Sequence, residues 1–344
     1  MIFLYELKKI LSHGAMWGFI ALCIAFNLWN IPSRLAPKID TSAPYYTNVF
    51  ATYSTNRTAQ AYITALNLTG TTATRMTAKY GALQQVVDNN AKLGYSYSPY
   101  FGEYTHTMHL LLFSSFGVIG ILSFQGFLLA MLLALLAVGY EQMHNTEQSV
   151  YATKIGRSIL YPKVFASTVA GISLYLLLVI MTLGAYFTIF DFSNLWSNSV
   201  SSGFNYTVDI FAGARPFTTW RSFTVASYGL ASLGLSLVLV ICFSLMGAIA
   251  GTLCKNSYIG FLMAIVANAI LLMSTLVFSP SSYLHYVSSH LPLGLWLNSM
   301  LWFTDGGFVT HWKNFELWGA GLSLLALCAI CMLSIINFKR KEIS

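Results

Sequence analysis

Charge in this chain is confined to a few short intervals, and the apolar stretches between them are long enough to cross a bilayer. No Asp, Glu, Lys or Arg occurs from Gly14 to Ser33, Tyr104 to Tyr140, Val164 to Phe190, Ser222 to Cys254, Asn256 to Thr304 or Leu317 to Phe338. A hydrocarbon core about 30 Å thick takes about 20 residues of helix. It holds no water to satisfy an open backbone group, so each run must close its own hydrogen bonds as a helix. The 344 residues are 8% charged, against about 25% in an ordinary soluble domain. The expected fold class is an all-α polytopic membrane protein, one domain over 1–344.

Six transmembrane helices are expected, at roughly 14–31, 108–139, 163–190, 222–252, 257–279 and 317–338. Lys8, Lys9, Lys154, Arg157, Lys163, Lys255, Lys339, Arg340 and Lys341 flank one side, while the short loops opposite hold Arg215, Arg221 and Lys313. The positive-inside rule places the first set, and both termini, in the cytoplasm of a cell-membrane protein. The insert at 32–105 also carries cations, but long loops translocate largely regardless of charge. The net charge of +7 is then a topological bias, and no nucleic-acid partner is expected.

The amino terminus does not read as a cleavable signal, which would have a basic start, a short apolar core and a small-residue cleavage site. Phe3, Leu7, Ile10 and Leu11 recur at helical spacing, with Glu6, Lys8, Lys9 and His13 on other faces. An amphipathic interfacial helix turning inward at Gly14 is expected. Cys23, Cys242, Cys254, Cys328 and Cys331 all lie in or beside spans, so packing residues rather than disulfides are expected. Asn56, Asn67 and Asn205 begin N-x-[ST] triplets on the outer side, a common pattern of little weight.

Two outer segments stand out. The extracellular insert at 32–105 has a middle, about 73–93, that reads as helix with Met76, Tyr80, Leu83 and Val87 on one stripe. A helical cap is expected, either a gate or receptor surface or a structural lid. The segment 280–315 is apolar but interrupted by His285, His290, Pro292 and Gly294. It reads as a broken, re-entrant hairpin before span six, tolerated where protein or a cavity covers it.

Catalytic motifs are scarce. No phosphate loop, H-E-x-x-H or G-x-S-x-G occurs, so the chain reads as a non-enzyme with no cofactor of its own. His106 and His109 form an H-x-x-H, but only Glu103 stands near to complete a zinc set, and no metal is expected. Polar residues within the spans, such as Gln125 and Asn268, are too few to suggest a proton relay.

The most specific segment is the inner loop, with a coupling segment at 141–162. Glu141 ends the second span, and Val150, Tyr151, Ile155 and Ile159 are offset from Glu147, Lys154 and Arg157, which gives a short amphipathic helix. Pro162-Lys163 then opens the third span, a position proline suits. From the residues alone, an ordinary interfacial loop accounts for the pattern equally well.

The interfacial start, Glu141, the Gly156-Arg157 pair and Lys163 together resemble permease subunits of type-2 ATP-binding-cassette exporters. The six-span plan and the broken outer hairpin match in layout, while the motif is confined to about Glu141–Ala166. Asn145-Thr146 stands where many members carry Gly-Thr, and the first outer loop is unusually large. The resemblance implies a separate ATPase subunit, carrying ATP and Mg, that Glu141, Tyr151, Lys154, Ile155, Gly156 and Arg157 contact. It also implies a second permease copy or a homologous permease, and ATP-driven export of a lipid, peptide or other amphipathic substrate. The path would run between copies along the first, second and fifth spans, with Phe113, Phe116, Phe124 and Phe127 as candidate lining; such a stripe serves equally for packing or lipid contact. Two other classes stay open. One is a non-transporting receptor or immunity protein that binds a peptide through the insert. The other is a membrane enzyme built on His285, His290, Asp305 and His311.

Overall fold

The structure, a computed structural model, describes residues 2–33, 49–94, 112–153, 156–190, 196–201, 206–254, 256–278 and 282–340. Among these, six helices are long and apolar enough to cross a membrane. A short helix α1 (Ile2–Leu11) precedes the first, α2 (Gly14–Ser33), and the cap helices α3 (Val49–Thr52), α4 (Thr55–Ala65) and α5 (Gly70–Lys92) follow. The second long helix is α6 (Val118–Met143), and the third, α8 (Leu160–Ile189), comes after α7 (Glu147–Tyr151) and a 3₁₀ turn (Gly156–Ile159). An antiparallel hairpin, β1 (Tyr206–Asp209) with β2 (Gly213–Pro216), precedes α9 (Val225–Leu253) and α10 (Ser257–Val277). The short helices α11 (Tyr283–His290) and α12 (Pro292–Leu297) lead through a 3₁₀ turn (Ser299–Leu301) to α13 (Phe315–Arg340).

Helix α6 is the centre of the bundle. Its window is 72% buried, whereas that of α10 is 11% buried, so α10 lies at the periphery. α6 packs most extensively on α9 and α8. The approach to α9 depends on small residues: a Cβ at Gly247 would sit 2.4 Å from the Met131 carbonyl, and one at Gly251 would press on Val138 at 3.1 Å. Small residues four apart let apolar helices come close where no hydrophobic force draws them together. Polar bonds then pin the contacts. Asn27 Nδ2 donates to Gln125 Oε1 at 2.9 Å and to Thr182 Oγ1 at 3.1 Å, which joins α2, α6 and α8. Ser123 Oγ donates to Ser236 Oγ at 2.8 Å, and Thr252 bonds Ser334 between α9 and α13.

Three expectations are corrected in detail. The second long helix begins at Val118: Leu112 and Phe113 are helical but residues 114–117 turn, Gly117 caps the new helix, and the expected start near 108 lies outside the described residues. It also runs on to Met143, past Glu141, because cations from elsewhere in the chain neutralise that carboxylate. The loop before α9 contains strands, which an all-α reading did not include. Asp209 Oδ1 accepts from Phe211 N and Ala212 N at 2.8 and 3.1 Å, and Gly213 takes φ +71°, which closes the turn.

The bundle has two unlike ends. At the basic end, Lys9 and Glu141 meet Lys163, and Arg157 meets the last turn of α13. At the cap end, α4 and α5 enclose their own core of Phe50, Tyr62, Met76, Tyr80, Leu83 and Val87, extended by Phe211 and Phe308 from later loops. Helix α5 is thus held by residues far away in sequence, with the expected stripe fully inward.

Candidate functional site

The basic end holds Glu141, Tyr151, Gly156 and Arg157 of the residues singled out from the sequence. Glu141 is 2% exposed. Its Oε1 accepts from Lys9 Nζ at 2.7 Å and its Oε2 from Lys163 Nζ. Lys163 also donates to the Ala137 carbonyl at 2.9 Å, and Lys9 lies 3.6 Å from the centre of the Tyr140 ring. Glu6, on a different face of α1 from the apolar stripe, is also buried and lies 3.7 Å from Lys9. One carboxylate therefore fastens α1, the end of α6 and the start of α8 together. Glu141 presents no surface to a partner, because both of its oxygens are used within the chain.

The loop from α6 to α8 is not one amphipathic helix. It is α7, which ends at Tyr151 in a turn at Ala152 and a bend at Thr153, and then the 3₁₀ turn from Gly156; Lys154 and Ile155 lie outside the described residues. Arg157 donates from Nη1 to the carbonyls of Phe338 at 3.0 Å and Lys339 at 3.3 Å. Its guanidinium lies 5.6 Å from the Phe338 ring centre, and Tyr151 meets the same ring edge-on at 5.9 Å. Cationic donors at the carbonyls of a helix C-terminus are favourable. Tyr151, Gly156 and Arg157 are half-buried, and Tyr151 and Arg157 turn toward α13. The outward face is carried by His144, Asn145, Thr146, Gln148 and Ser149.

Beside this cluster a cavity of about 440 Å³ opens between the first, second and fifth long helices. Its walls are apolar, with Met16, Phe19, Leu132, Leu136 and Phe261 among them and His13 at the rim. The phenylalanine stripe does not line it. Phe113 and Phe127 are interior packing residues, against Tyr228 (4.8 Å, edge-on) and Phe243 (4.5 Å, stacked). Phe116 and Phe124 are exposed and meet Trp296 instead. The stripe divides because Phe113 and Phe116 precede α6, on either side of the break at Ser114 and Ser115, so the four rings do not share one helix face.

The cap end holds a second buried ionic cluster that sequence reasoning missed. Asp305 Oδ2 accepts from Arg215 Nη1 and from the Tyr80 hydroxyl. Lys79 Nζ donates to the carbonyls of Asp305 (3.0 Å), Gly307 (2.6 Å) and Thr310 (2.8 Å), which uses all three ammonium protons. Tyr62 donates to Asp209 Oδ2 at 2.8 Å. Burial pushes the Asp305 carboxyl up, but Arg215, Lys79 and Tyr80 together outweigh it and hold it below the usual carboxylate range. Burial pushes Lys79 down to about 7 against the pull of Asp305. The cluster ties α5, the β-hairpin and the segment before α13 into one body. The only signal in the sequence was the scarcity of charge, which makes each outer ionic residue conspicuous.

In the histidine–acid set considered for an enzyme, the acid and one histidine are engaged within the chain. Asp305 is engaged by Arg215, while His290 bonds Tyr286 O through Nδ1 at 2.7 Å and Thr310 Oγ1 through Nε2 at 3.3 Å. His106, His109 and Glu103 lie outside the described residues. Among the described residues no group of three His, Cys, Asp or Glu side chains could hold a metal ion. The five cysteines are free thiols. The chain matches no family model, no curated protein and no solved structure.

Proposed function

We propose that this chain is the membrane-spanning subunit of an ATP-driven exporter for a lipid, peptide or other amphipathic substrate, with a separate ATPase subunit supplying the energy. The observation that carries the reading is the fastening of the α6–α8 loop. Arg157 and Tyr151 bolt it to the end of α13, while Glu141 and Lys163 bolt its two ends to each other and to α1. A push on this loop therefore reaches four helices directly. That is what a part driven by an external ATPase needs, since a ligand or partner shifts a packed bundle only between discrete arrangements. The loop charges support a cytoplasmic position for this end, and His144–Ser149 is the face offered to the ATPase. The cavity between the first, second and fifth spans suits an apolar or amphipathic cargo and opens toward a second permease copy. ATP and Mg sit on the partner; this chain supplies the moving bundle.

The test is co-purification with the ATPase subunit, alongside substrate-stimulated ATP hydrolysis in liposomes. Arg157→Glu should keep insertion and expression but sever loop from α13, lowering stimulated hydrolysis several-fold. A charge-reversed protein that assembles and stimulates like the parent would make the loop a plain connector.

A further inference from the structure

We propose that the cleft between α11 and the cap-end half of α13 is a binding site for one anionic phospholipid, its acyl chain lying along α13 and its phosphate held by Arg75. The site rests only on the six long helices lying in a bilayer, not on the exporter reading. The cleft measures about 660 Å³. Its floor on α13 is made of small residues, Gly319, Ser323 and Ala326, and its opposite wall of Val287 and Leu291. From Phe315 to Ala326 the helix rises about 17 Å at ~1.5 Å per residue. That is roughly half of a ~30 Å hydrocarbon core, the depth of a single leaflet. Trp318 and Leu322 at the rim are 67% and 63% exposed, so the cleft opens sideways, where lipid is.

Charge complementarity selects the headgroup. Trp312 closes the cap end of the cleft, and the Arg75 guanidinium lies 5.0 Å from its ring centre. Arg75 is exposed, and a guanidinium grips a phosphate through two bonds. Among the described residues no carboxylate pairs with Arg75, and the nearby acid Asp305 is already taken by Arg215. His311 Nδ1 is buried here without a partner. Burial, then Lys79, Arg75 and His290, push the His311 imidazole down to about 4. Tryptophan and tyrosine at this level, Trp312, Trp318 and Tyr286, fit the interfacial belt.

The experiment is native mass spectrometry of the full chain released from nanodiscs of equal phosphatidylglycerol and phosphatidylcholine. The parent should retain one phosphatidylglycerol per chain, at least tenfold over phosphatidylcholine. Arg75→Glu, an exposed change that leaves the bundle intact, should abolish the preference, and Ser323→Trp should displace the lipid by filling the floor. Equal retention of both lipids by the parent would overturn the proposal, as would parent-like phosphatidylglycerol retention by Arg75→Glu. So would a change of oligomeric state in Ser323→Trp with lipid retention unaffected, which would assign the cleft to a second copy of the chain.

Discussion

Removing Glu141 should destabilise this protein more than removing either lysine that it binds, and the structure gives the asymmetry a size. Glu141→Ala leaves Lys163, wholly buried, hydrogen-bonded only to the Ala137 carbonyl at 2.9 Å, with Glu6 the remaining carboxylate near it. Breaking a buried pair by deleting one partner typically costs about 3–5 kcal/mol, because an uncompensated charge remains inside. Lys163→Met is milder, since Lys9 still reaches Glu141 at 2.7 Å. Its cost should be the lost pair less that residual neutralisation, about 1–2 kcal/mol. The double change Glu141→Leu, Lys163→Met removes both charges and should fall close to the parent, as apolar replacement of buried pairs often does. Lys9, with a side chain 14% exposed, can turn to water in that variant. The assay is apparent melting of the purified protein in nanodiscs, followed by tryptophan fluorescence. At about 2.1 cal/mol/K of unfolding entropy per residue, 344 residues give roughly 1.4 °C per kcal/mol, so Glu141→Ala should melt about 4–7 °C below the parent, with the double variant recovering most of the loss. Equal shifts for the two single variants, or additive losses in the double, would refute the reasoning.

Two further outcomes follow from the cap end. Asp305→Ala strands Arg215, whose side chain is 4% exposed, and should cost about 3–5 kcal/mol; the loss should appear as faster hydrogen exchange in α5 and the β-hairpin, with α6 and α9 protected as before. His311 carries a pH signature: its folded-state value near 4 lies below the unfolded value near 6.5. Its contribution to stability is complete above about pH 6.5 and is lost as pH falls through about 4. His311→Asn should flatten the melting curve across that window, and an unchanged slope would place the titration elsewhere.

The parts of the fold that were readable were those set by a period or a run. Charge-free runs located the six long helices, because lipid leaves the backbone no alternative to helix. The stripe Met76, Tyr80, Leu83 and Val87 marked the buried face of α5, because helical spacing puts these residues on one side whatever covers them. The covering was not readable. Phe211 and Phe308, which complete that core, come from loops with no periodicity of their own, and Arg215 finds Asp305 across 90 residues. The β-hairpin was missed for a related reason: four-residue strands are too short to show alternation, and only Asp209 and Gly213 signalled the turn.

The same distinction explains the site. Glu141, Arg157 and Lys163 were conspicuous because charge is rare, but rarity identifies a residue without giving its direction. Arg157 read as an outward contact; in the fold it caps α13. Glu141 read as a partner contact; in the fold it is the shared counter-ion of two lysines from separate helices. A charge at the end of an apolar helix can reach water, or it can meet an opposite charge from another chain segment, and in a chain this poor in charge the second option is set by a few long-range pairings. Each such pairing joins elements that would otherwise slide past one another in lipid, where apolar surface gives no net preference for helix over acyl chain. The ionic groups at the two ends therefore share the registration of the fold with the Asn27–Gln125–Thr182 bonds inside the bundle, and variants at Glu141 and Asp305 test the ionic part of it.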